Sequence, residues 1–368
     1  MGSLKIGYAI GQLLGGQAAE RFGSKRILMV AMFGSIIMTA SFAAAPLWVG
    51  PTRLVVTLAT LWFCNGLFQA GGWPSSVKIM SRWFTTEERG RMMGVIGTGY
   101  QLSSALTIVG SGYLVSSTGN WRASFWVPAA MMLAMTAFAA WLVREAPAED
   151  EVPASRLSLP PPKLAPLETL RITLTNRAVW ILAVGLFGLD IARYGFLDWV
   201  PGHLEKVNAG GIAASTLKVA VFPIAGAIGA LSSGWLSDRL FRAKRAPVIV
   251  MMLVLVSIAT MGYGRALAHG PVALVSCLAV VGFAVYGAQV LLVGTAAQDF
   301  AKKEASAAAA GFIDFFGYLG AFSGDAITGF LLKHHGYERA LQFWSLSALV
   351  GAAFVALLWN QSAEGASR

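Results

Sequence analysis

The chain has 368 residues, 56% of them hydrophobic and only 12% charged, whereas a soluble domain carries about 25% charged residues. Composition of this kind excludes an ordinary water-exposed globular protein. The net charge of +10 would suit a nucleic-acid binder, but the basic residues fall between apolar stretches, as in the cytoplasmic loops of membrane proteins, so no nucleic-acid partner is expected.

In chain order, eleven stretches are apolar and long enough to cross a bilayer, which takes about 20 residues. They lie near 4–19, 27–47, 54–80, 89–115, 124–143, 177–201, 212–237, 247–265, 271–296, 305–332 and 340–359. Between the fifth and the sixth, residues 144–176 differ in kind. Glu145, Glu149, Asp150, Glu151 and the run Pro160-Pro161-Pro162 mark a soluble linker. The expected organisation is an all-α membrane protein with a helical bundle over 1–143, a linker over 144–176 and a second bundle over 177–368. No short apolar leader with a small-residue cleavage site opens the chain.

Lys and Arg fix the orientation. One set of alternate loops carries Arg21, Lys25 and Arg26; Arg82, Arg89 and Arg91; the linker arginines; Arg239, Arg242, Lys244 and Arg245; and Lys302 and Lys303. The other set holds little beyond Arg53, Arg122, Lys206, Arg265, Lys333 and Arg339. The first set is expected in the cytoplasm, which places the linker and the C-terminus inside and the protein in the cell membrane.

The halves repeat. Gly16-x-x-x-Glu20-Arg21 is matched by Gly234-x-x-x-Asp238-Arg239 at an offset of 218 positions. Gly99-Tyr100 maps on Gly317-Tyr318 at the same offset, and Phe125-Trp126 on Phe343-Trp344. Gly119-x-x-Arg122-Ala123 matches Gly336-x-x-Arg339-Ala340 one residue out of register. Internal repeats of this kind mark transporter folds, with the site where the repeats meet. The span at 177–201 has no partner after residue 1, so the chain is read as a twelve-helix protein lacking its first helix.

Gly16, Glu20, Arg21, Gly23, Lys25 and Arg26 together resemble the signature loop of the major facilitator superfamily. A narrower resemblance, to the organophosphate:phosphate antiporter family, runs along nearly the whole chain. It is carried by Phe68-Gln69-x-x-Gly72-Trp73-Pro74, Trp83-Phe84, Glu88-Arg89-Gly90, Arg193-Tyr194-Gly195-x-x-Asp198-Trp199, Ala309-Ala310-Gly311-Phe312 and Phe316-Gly317-Tyr318-Leu319-Gly320. The resemblance implies two pseudo-symmetric bundles around a central cavity, alternating access, and an arginine of helix 7 on the substrate phosphate, here Arg193. It also implies tyrosines near the site at Tyr8 and Tyr318. Three positions depart from that family: Gln12 replaces a lysine, Tyr100 a histidine and Asp190 a tyrosine. The site thereby loses cationic character and gains a carboxylate.

Each candidate has a structural reading beside its functional one. Arg193 lies mid-span, where a charge is expensive and needs a cavity or a partner. It either grips an anion or forms a salt bridge with Asp190, one helical turn away. Asp190 and Asp314 are candidates for proton coupling, or pair with local donors. Glu20, Arg21, Asp238 and Arg239, with Gly16, are read as a gating loop, against a plain topogenic role. Gly7, Gly11 and Gly15, like Gly320 and Gly324, are read as helix-packing stripes, Trp73-Pro74 as a kink, and Cys64 and Cys277 as packing residues. The four histidines have no metal-ligand spacing. No nucleophile motif, nucleotide loop or paired catalytic carboxylates are present, so neither enzyme activity nor a cofactor is expected.

The expected function is secondary active transport of a small organic anion, held by Arg193 with Tyr8, Gln12, Tyr100 and Tyr318 around it, in a monomer embedded in lipid. The alternatives are a proton-coupled carboxylate or sugar-acid symporter, and a non-transporting receptor or inactive fragment.

Overall fold

A computed structural model describes residues 2–83, 86–145, 166–207, 211–241, 244–296, 300 and 306–361. These residues are helical, with no strand among them. The helices are α1 (Gly2–Phe22), α2 (Ser24–Ala44), α3 (Pro51–Ala70), α4 (Gly72–Trp83), α5 (Thr86–Thr118), α6 (Ala123–Leu142), α7 (Pro166–Thr175), α8 (Arg177–Val207), α9 (Gly211–Arg239), α10 (Arg245–Ala268), α11 (Pro271–Gln289, widening into a π-helix over Val290–Ala296), α12 (Ser306–His334) and α13 (Tyr337–Ala356).

Each of the eleven predicted spans is helical. Nine helical segments among the described residues are long and apolar enough to cross a membrane. The predicted first and fourth spans, α1 and α5, fall outside those nine. Both are rich in small and polar residues, such as Gly7, Gly11, Gly15, Lys5 and Gln12 in α1 and Gly97, Gly99, Gln101, Ser103 and Ser104 in α5. Such helices gain from packing on other helices rather than from lipid.

Local sequence explains the breaks. Pro74 supplies no backbone donor and sits in the first turn of α4, so the predicted third span divides at Gly71, between α3 and α4. Within the predicted linker, Pro166–Thr175 forms a short helix, α7, with Pro at its start and Glu168 in its first turn, an arrangement that favours helix initiation. Residues 146–165 of the linker lie outside the described residues.

The chain divides into two compact units, 3–95 with 120–166, and 96–119 with 167–368. The C-terminal part of α5 thus belongs with the second unit. In the first unit α2 packs on α3, α4 and α6. Backbone atoms at Gly7 meet Phe63, those at Gly11 meet Leu67 and Ala70, and Gly66 in return receives Leu4 and Tyr8. The glycine stripe therefore seats α1 on α3, and any side chain there would overlap the partner backbone. A buried neutral network joins α2 to α3. Ser35 donates to Asn65 Oδ1 at 2.6 Å, and the Asn65 and Gln69 amides reach Thr39 and Ser35 at 3.4 Å.

The second unit is built around α8, which packs against α9, α12 and α13, while α11 packs on α9 and α10. Gly195 gives room to the fully buried Trp344, whose indole donates to Thr328 at 2.9 Å. Gly320 and Gly324 meet Phe187 and Ile191, so the second stripe seats α12 on α8. Gly119 and Gly336, matched in the sequence repeat, both adopt positive φ, 63° and 81°. The repeat thus extends to the backbone conformation of the turns that open α6 and α13. Leu106, Trp141, Ile228, Val272 and Phe330 are among many large apolar side chains left exposed on the helices, as lipid-facing surfaces require.

Candidate functional site

The second unit gathers a polar cluster from four helices. Asp190, Arg193 and Tyr194 come from α8, and the spacing of three puts Asp190 and Arg193 on one face. Both are 1% exposed. Arg193 Nη1 lies 3.5 Å from Asp190 Oδ1, and Nη2 donates to the Tyr100 hydroxyl of α5 at 3.1 Å. The guanidinium carbon sits 4.8 Å from the ring centre of Tyr194 and 5.2 Å from that of Tyr286 on α11. The aromatic faces attract the cation electrostatically, and Asp190 offsets its charge, which makes burial tolerable.

The arginine is not saturated. It offers five N–H donors in a planar fork, and its Nε meets no hydrogen-bond partner among the described residues. Tyr100, the acceptor of its other edge, is 48% exposed, so the buried cation is linked to an accessible hydroxyl. A fork with one donor nitrogen unpartnered has capacity for a further carboxylate or phosphate oxygen.

Small residues aim these side chains. A methyl group on Gly317 of α12 would lie 2.7 Å from Asp190 Oδ2, so only glycine leaves the carboxylate beside Arg193. Gly226 of α9 likewise leaves space for the Tyr286 ring. Tyr318, next to Gly317, places its ring centre 5.9 Å from that of Tyr194. Asp314 lies one turn before Gly317 and interacts electrostatically with Asp190 and Arg193.

Five residues predicted from the sequence, Arg193, Asp190, Tyr100, Tyr318 and Asp314, therefore come together. Of the two readings of Arg193, the pairing with Asp190 is present at 3.5 Å, and Nε is left without a hydrogen-bond partner among the described residues. Tyr8 and Gln12 lie on α1 in the first unit. Gln12 is buried there, with its amide nitrogen unpartnered among the described residues, and Tyr8 is half-buried. Lys5 on the same helix is buried as well and was missed by sequence reasoning, although a lysine inside an apolar stretch is the signal that finds such residues. Tyr194 and Tyr286 were also missed as site residues. Aromatic residues in a span default to packing, and only the cation shows otherwise.

Of the gating-loop candidates, Gly16 and Glu20 fall in the C-terminal part of α1 and Asp238 in the last turn of α9, but the side chains of Glu20 and Asp238 lie outside the described residues. Arg21 and Arg239 are exposed, each over an aromatic ring, Phe22 at 5.4 Å and Trp235 at 5.9 Å. The first loop is tied to the end of α6. Ser24 N–H donates to Glu145 Oε1 at 3.0 Å, and Lys25 Nζ to the Ala140 carbonyl at 2.8 Å. Asp325 accepts from the Trp199 indole at 3.3 Å, which ties α12 to α8. Among the described residues no three His, Cys, Asp or Glu side chains gather as metal ligands.

Comparison with known proteins bears on the same residues. The family model described as Major Facilitator Superfamily matches residues 2–325, which include all of this cluster. The chain belongs to the Major Facilitator Superfamily. Within it, the chain is 28% identical over 373 residues to a glycerol-3-phosphate transporter of Bacillus subtilis (strain 168), covering 98% of this chain and 83% of that protein. It is 26% identical to the membrane sensor protein UhpC of Escherichia coli (strain K12), covering 86% of this chain and 72% of that one. Among solved structures, a crystal structure of a D-xylose-proton symporter superposes with a TM-score of 0.72 over 99% of this chain and 87% of that one, at 13% identity. That likeness bears on the fold, two helical bundles of the superfamily type.

Proposed function

We propose that this superfamily member carries a small organic anion, a phosphorylated metabolite, across the cell membrane by alternating access, with Arg193 as the anion grip. The observation behind the proposal is the buried guanidinium whose Nε is unpartnered among the described residues and which is flanked by Tyr100, Tyr194 and Tyr286. A charge so placed within a span is a functional site by default. Tyr318, Tyr8 and Gln12 are the remaining residues of the proposed binding set. Asp190 and Asp314 are the proposed coupling carboxylates, and Gly16, Glu20, Arg21, Asp238 and Arg239 the proposed gate. The glycerol-3-phosphate transporter relative supports a phosphate as the anion. The chain works as a monomer, driven by a counter-substrate or proton gradient, and performs no catalysis.

The test is uptake of labelled glycerol 3-phosphate into proteoliposomes loaded with inorganic phosphate. Arg193→Lys, which keeps the charge but loses the planar fork, should bind more weakly while still folding, and Arg193→Ala should take up nothing. Normal uptake by Arg193→Ala overturns the reading. The linker and C-terminus belong in the cytoplasm, so Ser155→Cys should resist impermeant thiol reagents in intact cells, and ready labelling would invert the topology.

The sensor relative favours a second reading, a receptor that binds the same anion without moving it. Saturable binding in detergent combined with no uptake in proteoliposomes would establish that alternative.

A further inference from the structure

Arg193 and Asp190 offset one another at 3.5 Å. Asp314 adds a second carboxylate from α12, the helix that Gly317 and Gly320 hold against α8. It lies on the same face as Gly317 and interacts electrostatically with both Asp190 and Arg193. It makes no hydrogen bond or ion pair among the described residues, and it is only partly buried. A carboxylate kept only for packing would have donors around it. With Asp314 unpaired, the cluster sets two carboxyl groups against one guanidinium, and the second carries a surplus negative charge whenever it is ionised. In a low-dielectric surrounding that charge repels an incoming anion strongly.

The same cluster therefore holds two complementary groups, a guanidinium with its Nε unpartnered for an anion and an unpartnered carboxylate for a cation. We propose that the cargo is a small zwitterion, with its phosphate or other anionic group on Arg193 and Tyr100 and an ammonium group on Asp314. The ammonium removes the repulsion that a simple anion meets. The rings of Tyr194 and Tyr318, 5.9 Å apart on the helices that carry the two charges, add cation–π attraction for it. This inference rests on the reading of Arg193 as an anion grip and narrows the class of molecule gripped.

The probes are 2-aminoethyl phosphate and ethyl phosphate, which share the phosphate and the two-carbon chain and differ in the amine. Binding of each is measured by calorimetry on the purified full chain in lipid nanodiscs. The amino compound should bind at least about tenfold tighter, the size expected for a hydrogen bond to a charged group. Asp314→Asn should abolish that preference and tighten ethyl phosphate as the repulsion is removed, and Asp314→Glu, which keeps the charge, should retain the preference. Equal binding of the two probes by the unaltered chain, lost in both cases with Arg193→Ala, overturns the zwitterion while leaving the anion grip in place. A preference that survives Asp314→Asn also overturns it. Binding of neither phosphate overturns the anion grip and the zwitterion together.

Discussion

In the first unit Gly11 seats α1 on α3, and Gly66 receives the carbonyl of Leu4; in the second, Gly229, 218 positions after Gly11, seats α9 on α11, and Gly282, 216 positions after Gly66, receives the carbonyl of Phe222. The same helices approach through nearly the same positions. What differs is the aromatic residue beside them. In the first unit Phe68 turns its ring onto Gly34 of α2. In the second, the residue at the matching offset is Tyr286, and Gly226 clears space for its ring beneath Arg193. Interior polarity follows the same division. The α2–α3 seam holds a neutral network of Ser35, Asn65, Gln69 and Thr39, whereas α8 and α12 hold Asp190, Arg193 and Asp314. The packing of the repeat is shared by the halves; the ion pair is not, and the first unit's buried charge is the single cation Lys5 among the described residues.

The largest effect should come from breaking the shared part. Gly11→Val and Gly229→Val each drive a side chain into the facing helix, where backbone cannot yield, at a cost of about 3 kcal/mol. Both should lower the amount of folded, monodisperse protein recovered from membranes. Tolerance of one and collapse with the other would show that the two seams are not equivalent.

The next substitution separates the halves. Tyr286→Leu removes a ring from the guanidinium and should cost about 1 kcal/mol of anion binding, read as a several-fold rise in Kd for glycerol 3-phosphate. Phe68→Leu in the first unit should leave Kd unchanged. A larger affinity loss with Phe68→Leu would place the binding energy in the wrong half.

The fold was legible because apolar length, basic loops and a constant offset are carried by single residues in order along the chain. The break at Gly71 was legible from Pro74, and the close approaches from the glycine stripes. The cluster was half legible. Arg193, Asp190 and Asp314 stand out because charge is rare in a span, and Tyr100 and Tyr318 through the family resemblance. Tyr194 and Tyr286 were not, since no local pattern distinguishes a tyrosine that covers a cation from one that fills a core. Gly226 and Gly317 share that problem, as their role depends on which side chain the next helix brings.

The smallest effect concerns the neutral network. Asn65→Ala leaves Ser35 and Gln69 short of a partner and should cost about 1–2 kcal/mol of stability, seen as a lower melting temperature, with anion affinity unchanged. A change of affinity without a change of melting temperature would make the first unit's network part of the binding apparatus.

The central claim is that Arg193 serves the cargo and not only Asp190. Calorimetric binding of glycerol 3-phosphate and thermal stability, measured together on Arg193→Ala, Asp190→Ala and the double substitution, test it most directly. Arg193→Ala should strand a buried carboxylate and lose stability, by about 3 kcal/mol or more for a broken buried pair. The double substitution should regain much of that stability and still show no binding. Full binding by the double variant would contradict the account and leave the Arg193–Asp190 pair as a brace within α8.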